Sequence, residues 1–496
     1  MKNQAQLIAY VDRLPGGTFR DLRQLLGGPL HGAFGGVHVL PFFHPIDGAD
    51  AGFDPIDHTQ VDHRVGTWAD VAALAADTEV MADLIVNHVS RHSPRFQDYD
   101  ARGHDSPYAG MFLTCSRVFR QSASESDLLA LHTIRPSLPF TIHDAAHGAR
   151  LLLWTTFTSD QIDIDVRHPE GRRYLAEVLT RFHDAGITII RLDAVGFAIK
   201  KAGTSCFMIP ETFAFIDELT AQAHSLGMDV LVEVHGPPDD QIAVARHADW
   251  VYDFALPPLV LHSLYTRNVV ALTRWLSMRP NNIVTVLDTH DGIGVQDVDR
   301  DRRRPDADPL LPRPAIDALI DTLDQRSRGE SRQASGAAAS NVDASQINCT
   351  FYDALGQRDN EYLIARAIQC FVPGIPHIYY VGLLAGTNDM DLFRRTQVGR
   401  DLNRRHYTAA GLQQALARPV VQSLLALLRF RNTHPAFAGT FESSATAPDR
   451  LVLTWTHGHH VARLDVDLTA MTASISSSGT GGGNAVAWRT LLEAQA

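Results

Sequence analysis

The sequence predicts a (β/α)8 barrel with inserted loop domains and a small C-terminal antiparallel β domain. Three observations carry this. Eight short apolar runs, rich in β-branched residues, recur along the chain. Amphipathic helical stretches lie between them. After about residue 437 the pattern changes to short alternating segments. Near-continuous apolar strands suit a parallel sheet covered on both faces, and eight of them with intervening helices suit a closed barrel. A doubly wound sheet is the structural rival, but no glycine-rich dinucleotide loop follows the first strand.

The candidate strands are "LIAYV" (7–11), "GVHVLPFF" (36–43), "MADLIVNH" (81–88), "ITIIRLDAV" (187–195), "DVLVEVH" (229–235), "DWVYDFAL" (249–256), "NIVTVLDTHD" (282–291) and "IPHIYYVG" (375–382). Between them, "HPEGRRYLAEVLTRFHDAG" (168–186) puts Leu175, Val178, Leu179 and Phe182 on one helix face, with Gly186 as the stop. "ETFAFIDELTAQAHSLG" (211–227) repeats the pattern with Phe215, Leu219, Leu226 and Gly227.

Two intervals are too long for simple barrel loops. The expected division is therefore barrel over 1–85, an inserted domain over 86–167 and barrel again over 168–292. A second insertion follows over 293–356, then the last of the barrel over 357–436 and the β domain over 437–496. "RLVLTWTHG" and "HVARLDVDL" read as antiparallel strands. "SSSGTGGGN" (476–484) reads as a hairpin loop, because a phosphate cradle requires a strand-to-helix context that it lacks.

Composition excludes several function classes. The chain has 496 residues and a formal charge of −12, which argues against a nucleic-acid surface. "DVDRDRRRPDADPLLPRP" is locally basic, but its interleaved aspartates make it a solvated loop. No apolar run approaches the roughly 20 residues that span a bilayer. The first residues carry no long apolar stretch of the signal-peptide type, so a cytoplasmic location is expected. Cys115, Cys206, Cys349 and Cys370 are far apart, and the 24 histidines form no H-E-x-x-H pattern. No transition metal is expected.

The polar residues fall at strand ends, where a barrel carries its chemistry. Asp83, Asn87 and His88 end the third strand. Arg191 and Asp193 end the fourth, Glu233 and His235 the fifth, and Asp288, His290 and Asp291 the seventh. Any one of these has a bland reading as a helix cap or a satisfied core residue. Four polar strand ends facing one mouth do not, because buried charge is costly without a partner or a task. Asp193, Glu233 and Asp291 would converge. A carboxylate nucleophile, a carboxylic acid for the leaving oxygen and a third carboxylate suit glycosidic-bond chemistry with retention. Arg191 is expected to keep Asp193 ionised.

"DLIVNH", "IIRLDAV", "LVEV" and "LDTHD" resemble, in order and spacing, the four sequence blocks of the α-amylase superfamily of retaining glycoside enzymes. "LDAVGFAIKKAGTSCFMIPETF", "VYDFALPPLVLHSLYT", "VTVLDTHDGIGV", "GAAASNVDASQIN" and "GRDLNRRHY" extend the resemblance to the sucrose phosphorylases and their close relatives. Gly196 and Phe197 stand where amylases commonly place a lysine and a histidine that bind a glucan chain. This points to a small disaccharide.

The resemblance implies roles. Asp193 would be the nucleophile, Glu233 the general acid/base and Asp291 the transition-state stabiliser. The reaction would pass through a β-glucosyl-enzyme to α-D-glucose 1-phosphate. Asp50, His88, Arg191, His290 and Arg400 would hold the glucosyl unit, with Phe53 and Phe157 as apolar walls. Arg135 in "TIRPSLPF" would meet phosphate. His235, Asp343 and Gln346 would surround the acceptor. Ala344 and Ser345 stand where sucrose phosphorylases have leucine and tyrosine, which leaves the acceptor open. Sucrose is favoured by Asp343 and Gln346; glucosylglycerol, glucosylglycerate and sucrose 6'-phosphate are the alternatives. Ser345 is a candidate hydroxyl donor to phosphate. An amylase-like hydrolase or transglycosylase is a second reading. A non-catalytic transporter subunit is a third, disfavoured by three intact carboxylates. No cofactor, metal, nucleic acid or membrane partner is expected, and the resemblance suggests a homodimer.

Overall fold

The computed structural model describes all residues except 49, 121, 302–305, 307, 336–345, 479–487 and 490–496. Eight parallel strands close a barrel: β1 (Gln6–Ala9), β2 (Gly36–Val39), β3 (Glu79–Ile85), β4 (Ile189–Asp193), β5 (Asp229–Val232), β6 (Trp250–Asp253), β7 (Ile283–Thr285) and β8 (Ile375–Tyr379). Each pairs with its sequence neighbours, and β8 closes on β1. The eight expected strands are all there, but shorter than their apolar runs. In 282–291 only Ile283–Thr285 forms ladder bonds, while Val286 to Asp291 continue as a buried loop. An apolar run reports burial, and burial outlasts the ladder where a loop dives into the barrel mouth.

The two expected helices form over Pro169–Asp184 and Pro210–Ser225. Leu175, Val178, Leu179 and Phe182 of the first are buried, as are Phe215 and Leu219 of the second, whereas Leu226 is only half-buried beyond its end. Gly186 and Gly227 both adopt φ +74, the left-handed geometry that ends a helix at least cost without a Cβ.

Between β3 and the first of these helices the chain builds a small separate core from Leu113, Phe119, Leu131 and Trp154, to which Cys206 from the loop after β4 contributes. A hairpin of Phe140–Asp144 with Arg150–Trp154 covers it. A buried lysine ties this region to the barrel. Lys200 Nζ donates to Asn87 Oδ1 at 2.6 Å, meets Asp163 Oδ2 at 2.5 Å and also donates to the Phe197 carbonyl. Asn87 follows β3, Phe197 follows β4, and Asp163 lies in a short strand that pairs with His88–Ser90. One cation thus holds three segments at the barrel mouth.

In the second long interval, helices span Arg313–Arg326 and Glu330–Ser335. Part of the basic run and most of "GAAASNVDASQIN" lie outside the described residues. After the barrel, Thr440–Ala447, Arg450–His457, His460–Asp467, Thr472–Ser478 and Trp488–Arg489 form one antiparallel sheet. Trp455 Nε1 donates to the Phe371 carbonyl at 2.7 Å and seats this sheet on the barrel. Most of the expected glycine-rich hairpin loop lies outside the described residues. Among the described helices none is long and apolar enough to cross a membrane.

Candidate active site

A cleft opens at the carboxyl end of the barrel. Its floor is built by strand periodicity. Asp193 ends β4, and Arg191, two residues earlier, projects to the same face. Arg191 stands level with Asp83 on β3 and contacts its carboxylate. It also lies 3.1 Å from Asp193 Oδ1 and 2.8 Å from Glu233 Oε1. The expectation that Arg191 serves Asp193 is corrected here: one guanidinium is divided among three carboxylates. Burial, and then the charge of Glu233, push the Asp193 carboxyl well above its ordinary range against the pull of Arg191. Ala194, at φ +54, turns its N–H back to Glu233 Oε2 at 3.2 Å.

The deep end is a lattice of fixed charges. Arg400 Nη1 is 2.8 Å from Asp291 Oδ1 and 3.6 Å from Asp50 Oδ2. Arg404, fully buried, reaches Asp50 Oδ1 at 3.3 Å and donates from Nε to the His290 carbonyl at 3.0 Å. Burial alone raises the Asp50 and Asp291 carboxyls; Arg400 and Arg404 outweigh it at Asp50, and Arg400, the neighbouring His290 and His235 and Arg404 outweigh it at Asp291, so both lie below the usual carboxylate range. Burial lowers His290 to about 3, so its ring is neutral; it stacks on Phe53 at 4.6 Å. His88, also lowered by burial, donates from Nε2 to the Phe53 carbonyl at 2.8 Å.

The mouth is different in kind. Phe157, Phe197 and Phe207 line it as an aromatic wall, with ring centroids 5.6 and 4.7 Å apart in succession. A Cβ at Gly196 would lie 2.7 Å from the Phe207 ring, so the wall requires the glycine. Opposite stand His235, Gln296 and Gln346. Gln346 Oε1 accepts from Gly292 N and from Arg400 Nη2, both at 3.3 Å.

Of the residues expected from sequence, Asp50, Phe53, His88, Phe157, Asp193, Glu233, His235, His290, Asp291, Gln346 and Arg400 line this one cleft. Arg191 lies beneath it. Arg135 does not line it. Its terminal nitrogens donate to the Thr155 carbonyl at 2.7 Å, the Phe157 carbonyl at 3.1 Å and the Leu138 carbonyl at 3.2 Å, while its buried Nε has no partner among the described residues. Asp343, Ala344 and Ser345 lie outside the described residues.

Sequence reasoning missed Arg404, Asp297 and Lys200. Arg404 sits four residues after Arg400 in "GRDLNRRHY", where two arginines at that spacing were the available signal. Asp297 and Lys200 follow Asp291 and Asp193 by six and seven residues in loops, and no pattern marks them.

Glu233, His235 and Asp291 bring potential ligand atoms within 4.8 Å of one another. Each already has a charged partner: Arg191 for Glu233, Arg400 for Asp291 and Asp297 for His235. This set reads as a compensated charge cluster for a polar substrate.

A (β/α)8 barrel with three carboxylates converging at its carboxyl end defines a glycoside-processing enzyme, and the family model described as alpha amylase, catalytic domain matches residues 33–241. The chain is 56% identical to a sucrose phosphorylase of Agrobacterium vitis, over 97% of this chain and 98% of that protein. It is 49% identical to a sucrose phosphorylase of Bifidobacterium adolescentis, over 92% and 90%. A crystal structure of sucrose 6F-phosphate phosphorylase from Thermoanaerobacter thermosaccharolyticum superposes with a TM-score of 0.90 at 37% identity, covering 99% of both chains. The chain belongs to the sucrose phosphorylase family, whose members are glucosyltransferases of the phosphorylase type.

Proposed function

We propose that the enzyme converts sucrose and inorganic phosphate to α-D-glucose 1-phosphate and fructose with net retention. Asp193 attacks the anomeric carbon as Glu233 donates a proton to the leaving fructosyl oxygen. This gives a β-glucosyl-enzyme. Phosphate then attacks the same carbon from the side that fructose vacated, Glu233 takes up its proton, and the bond to Asp193 breaks. Asp291, held ionised by Arg400, stabilises the oxocarbenium-like state. Asp50, Arg400, His88 and His290 bind the glucosyl hydroxyls, and Phe53 walls the ring.

The observation that carries this reading is the single guanidinium that touches both Asp193 and Glu233. It holds the two carboxyls side by side, which suits the close pair of a retaining mechanism rather than the wide pair that admits water. The test is release of glucose 1-phosphate from sucrose, with glucosylglycerol, glucosylglycerate and sucrose 6'-phosphate in parallel, with and without phosphate. Fast, phosphate-dependent release from sucrose alone is expected. Fast release from another donor alone would move the specificity to the loop containing Ala344 and Ser345. Turnover independent of phosphate would make the protein a hydrolase or transglycosylase. A cytoplasmic homodimer and the six-segment division belong to the same reading; sedimentation checks the first and limited proteolysis at the insertion edges the second.

A further inference from the structure

His235 follows Glu233 by two residues at the end of β5 and lines the mouth of the cleft. Its ring is fixed on two sides. Phe254 stacks beneath it with centroids 3.9 Å apart, and Asp297 Oδ2 lies 3.3 Å from Nδ1. Its Nε2 is buried and has no hydrogen-bond partner, although Glu233 Oε1 stands 3.7 Å away and Asp291 Oδ2 3.9 Å away. A polar atom left open in so dry a place calls for an explanation from a ligand.

Asp297 is completely buried behind the ring. Its Oδ1 accepts from Gly236 N at 3.0 Å, and its Oδ2 packs so tightly on the backbone that a Cβ at Gly294 would lie 2.0 Å from it. Nothing about this carboxylate reaches the cleft directly. Its effect passes through His235.

We propose that Asp297 is a positioning residue that holds the His235 ring with Nε2–H and a positive charge directed into the acceptor space, where an entering phosphate anion meets them. The inference rests on the phosphorolytic reading above. An anion that enters beside Glu233 and Asp291 faces two carboxylates, and the terminal nitrogens of Arg135 donate to backbone carbonyls. The Asp297–His235 ion pair places its negative end behind the ring and its positive end toward the cleft. Its net charge is zero, so it creates a directed field without making the pocket more basic overall. Burial alone would lower the His235 pKa; Asp297, with Glu233 and Asp291 on the cleft side, raises it to about 9.

The test is Asp297→Asn, which keeps an acceptor for Gly236 N–H and removes the charge. With sucrose saturating, the KM for phosphate at pH 8 should rise about 10-fold, the loss of one charge-assisted hydrogen bond. The alkaline limb of kcat/KM for phosphate should move from near 9 toward the ordinary histidine value of about 6.5. Slow hydrolysis of sucrose without phosphate should lose less than phosphorolysis does, because only phosphorolysis needs the anion. Asp297→Glu should keep the limb high at reduced rate. An unchanged limb and unchanged KM in folded Asp297→Asn would overturn the proposal. Turnover of the unaltered enzyme that ignores phosphate would overturn the phosphorolytic reading instead. In that case the His235 imidazole titration, followed by NMR in both proteins, still decides the role of Asp297: equal midpoints would refute it.

Discussion

The two ends of the cleft are built on opposite principles. At the deep end every carboxylate has a fixed cationic partner: Asp50 and Asp291 face Arg400 and Arg404, and Asp193 and Glu233 share Arg191. At the mouth three phenylalanines line the cleft together with His235 and Gln296, and the buried His235 Nε2 has no hydrogen-bond partner among the described residues. Preorganised charge suits a group bound identically in every turn of a cycle. Rings and open donors suit a space that accepts two chemically different partners in alternation. Under the proposed reaction the difference assigns the glucosyl unit to the rigid lattice and the acceptor to the adaptable mouth.

The largest expected effect breaks the deep end. Asp193→Asn should reduce glucose 1-phosphate release at least about 10⁴-fold, since the proposed nucleophile is gone. It should also raise Tm by roughly 1–4 °C. The sign follows from the raised carboxyl: a folded pKa above the unfolded one makes the ionised form destabilising at neutral pH, and amide replacement removes that cost. Unaltered turnover would sink the assignment of this residue.

Next comes Arg400→Met, which leaves the buried Asp291 carboxylate without its nearest cation. Removing one partner of a buried pair costs about 3–5 kcal/mol. We expect kcat/KM to fall about 10²–10³-fold for every donor while the ranking of acceptors stays the same. A changed ranking would erase the distinction between the two ends.

Lys200→Met tests what holds the mouth against the barrel. It leaves Asp163 and Asn87 facing a methyl group in a buried site, so stability should drop by about 3–5 kcal/mol. Limited proteolysis should then cut first between residues 89 and 167. Simultaneous loss of the whole fold would show that this region is not separately anchored.

The smallest effect sharpens the mouth. Phe207→Ala should alter the preference among acceptors about 10-fold, with donor kcat/KM changed less than threefold. Competition between fructose and phosphate for the glucosyl-enzyme measures it. A larger loss on the donor side would place Phe207 with the deep end.

Much of this was legible in the chain itself. The eight apolar runs fixed the barrel, because parallel strands covered on both faces need nearly unbroken apolar residues. Polar residues at the ends of those runs marked the catalytic face, since a carboxylate closing a buried strand must have a task. Asp193, Glu233 and Asp291 stood out for that reason. Arg404, Asp297 and Lys200 did not, because each reaches the site from a loop and its value depends on what lies across from it. Arg135 shows the converse. Its segment looked right for an anion, but three carbonyls engage its terminal nitrogens.

The sequence by itself determined the fold and the polar strand ends that gather at one mouth, because period and residue type are local properties. Only the tertiary structure decided how charge is shared there: that Arg191 serves three carboxylates, that Arg400 and Arg404 hold Asp50 and Asp291, and that Asp297 stands behind His235. Electrostatic partnership depends on distance and burial, and both are set when segments hundreds of residues apart meet at one end of a barrel.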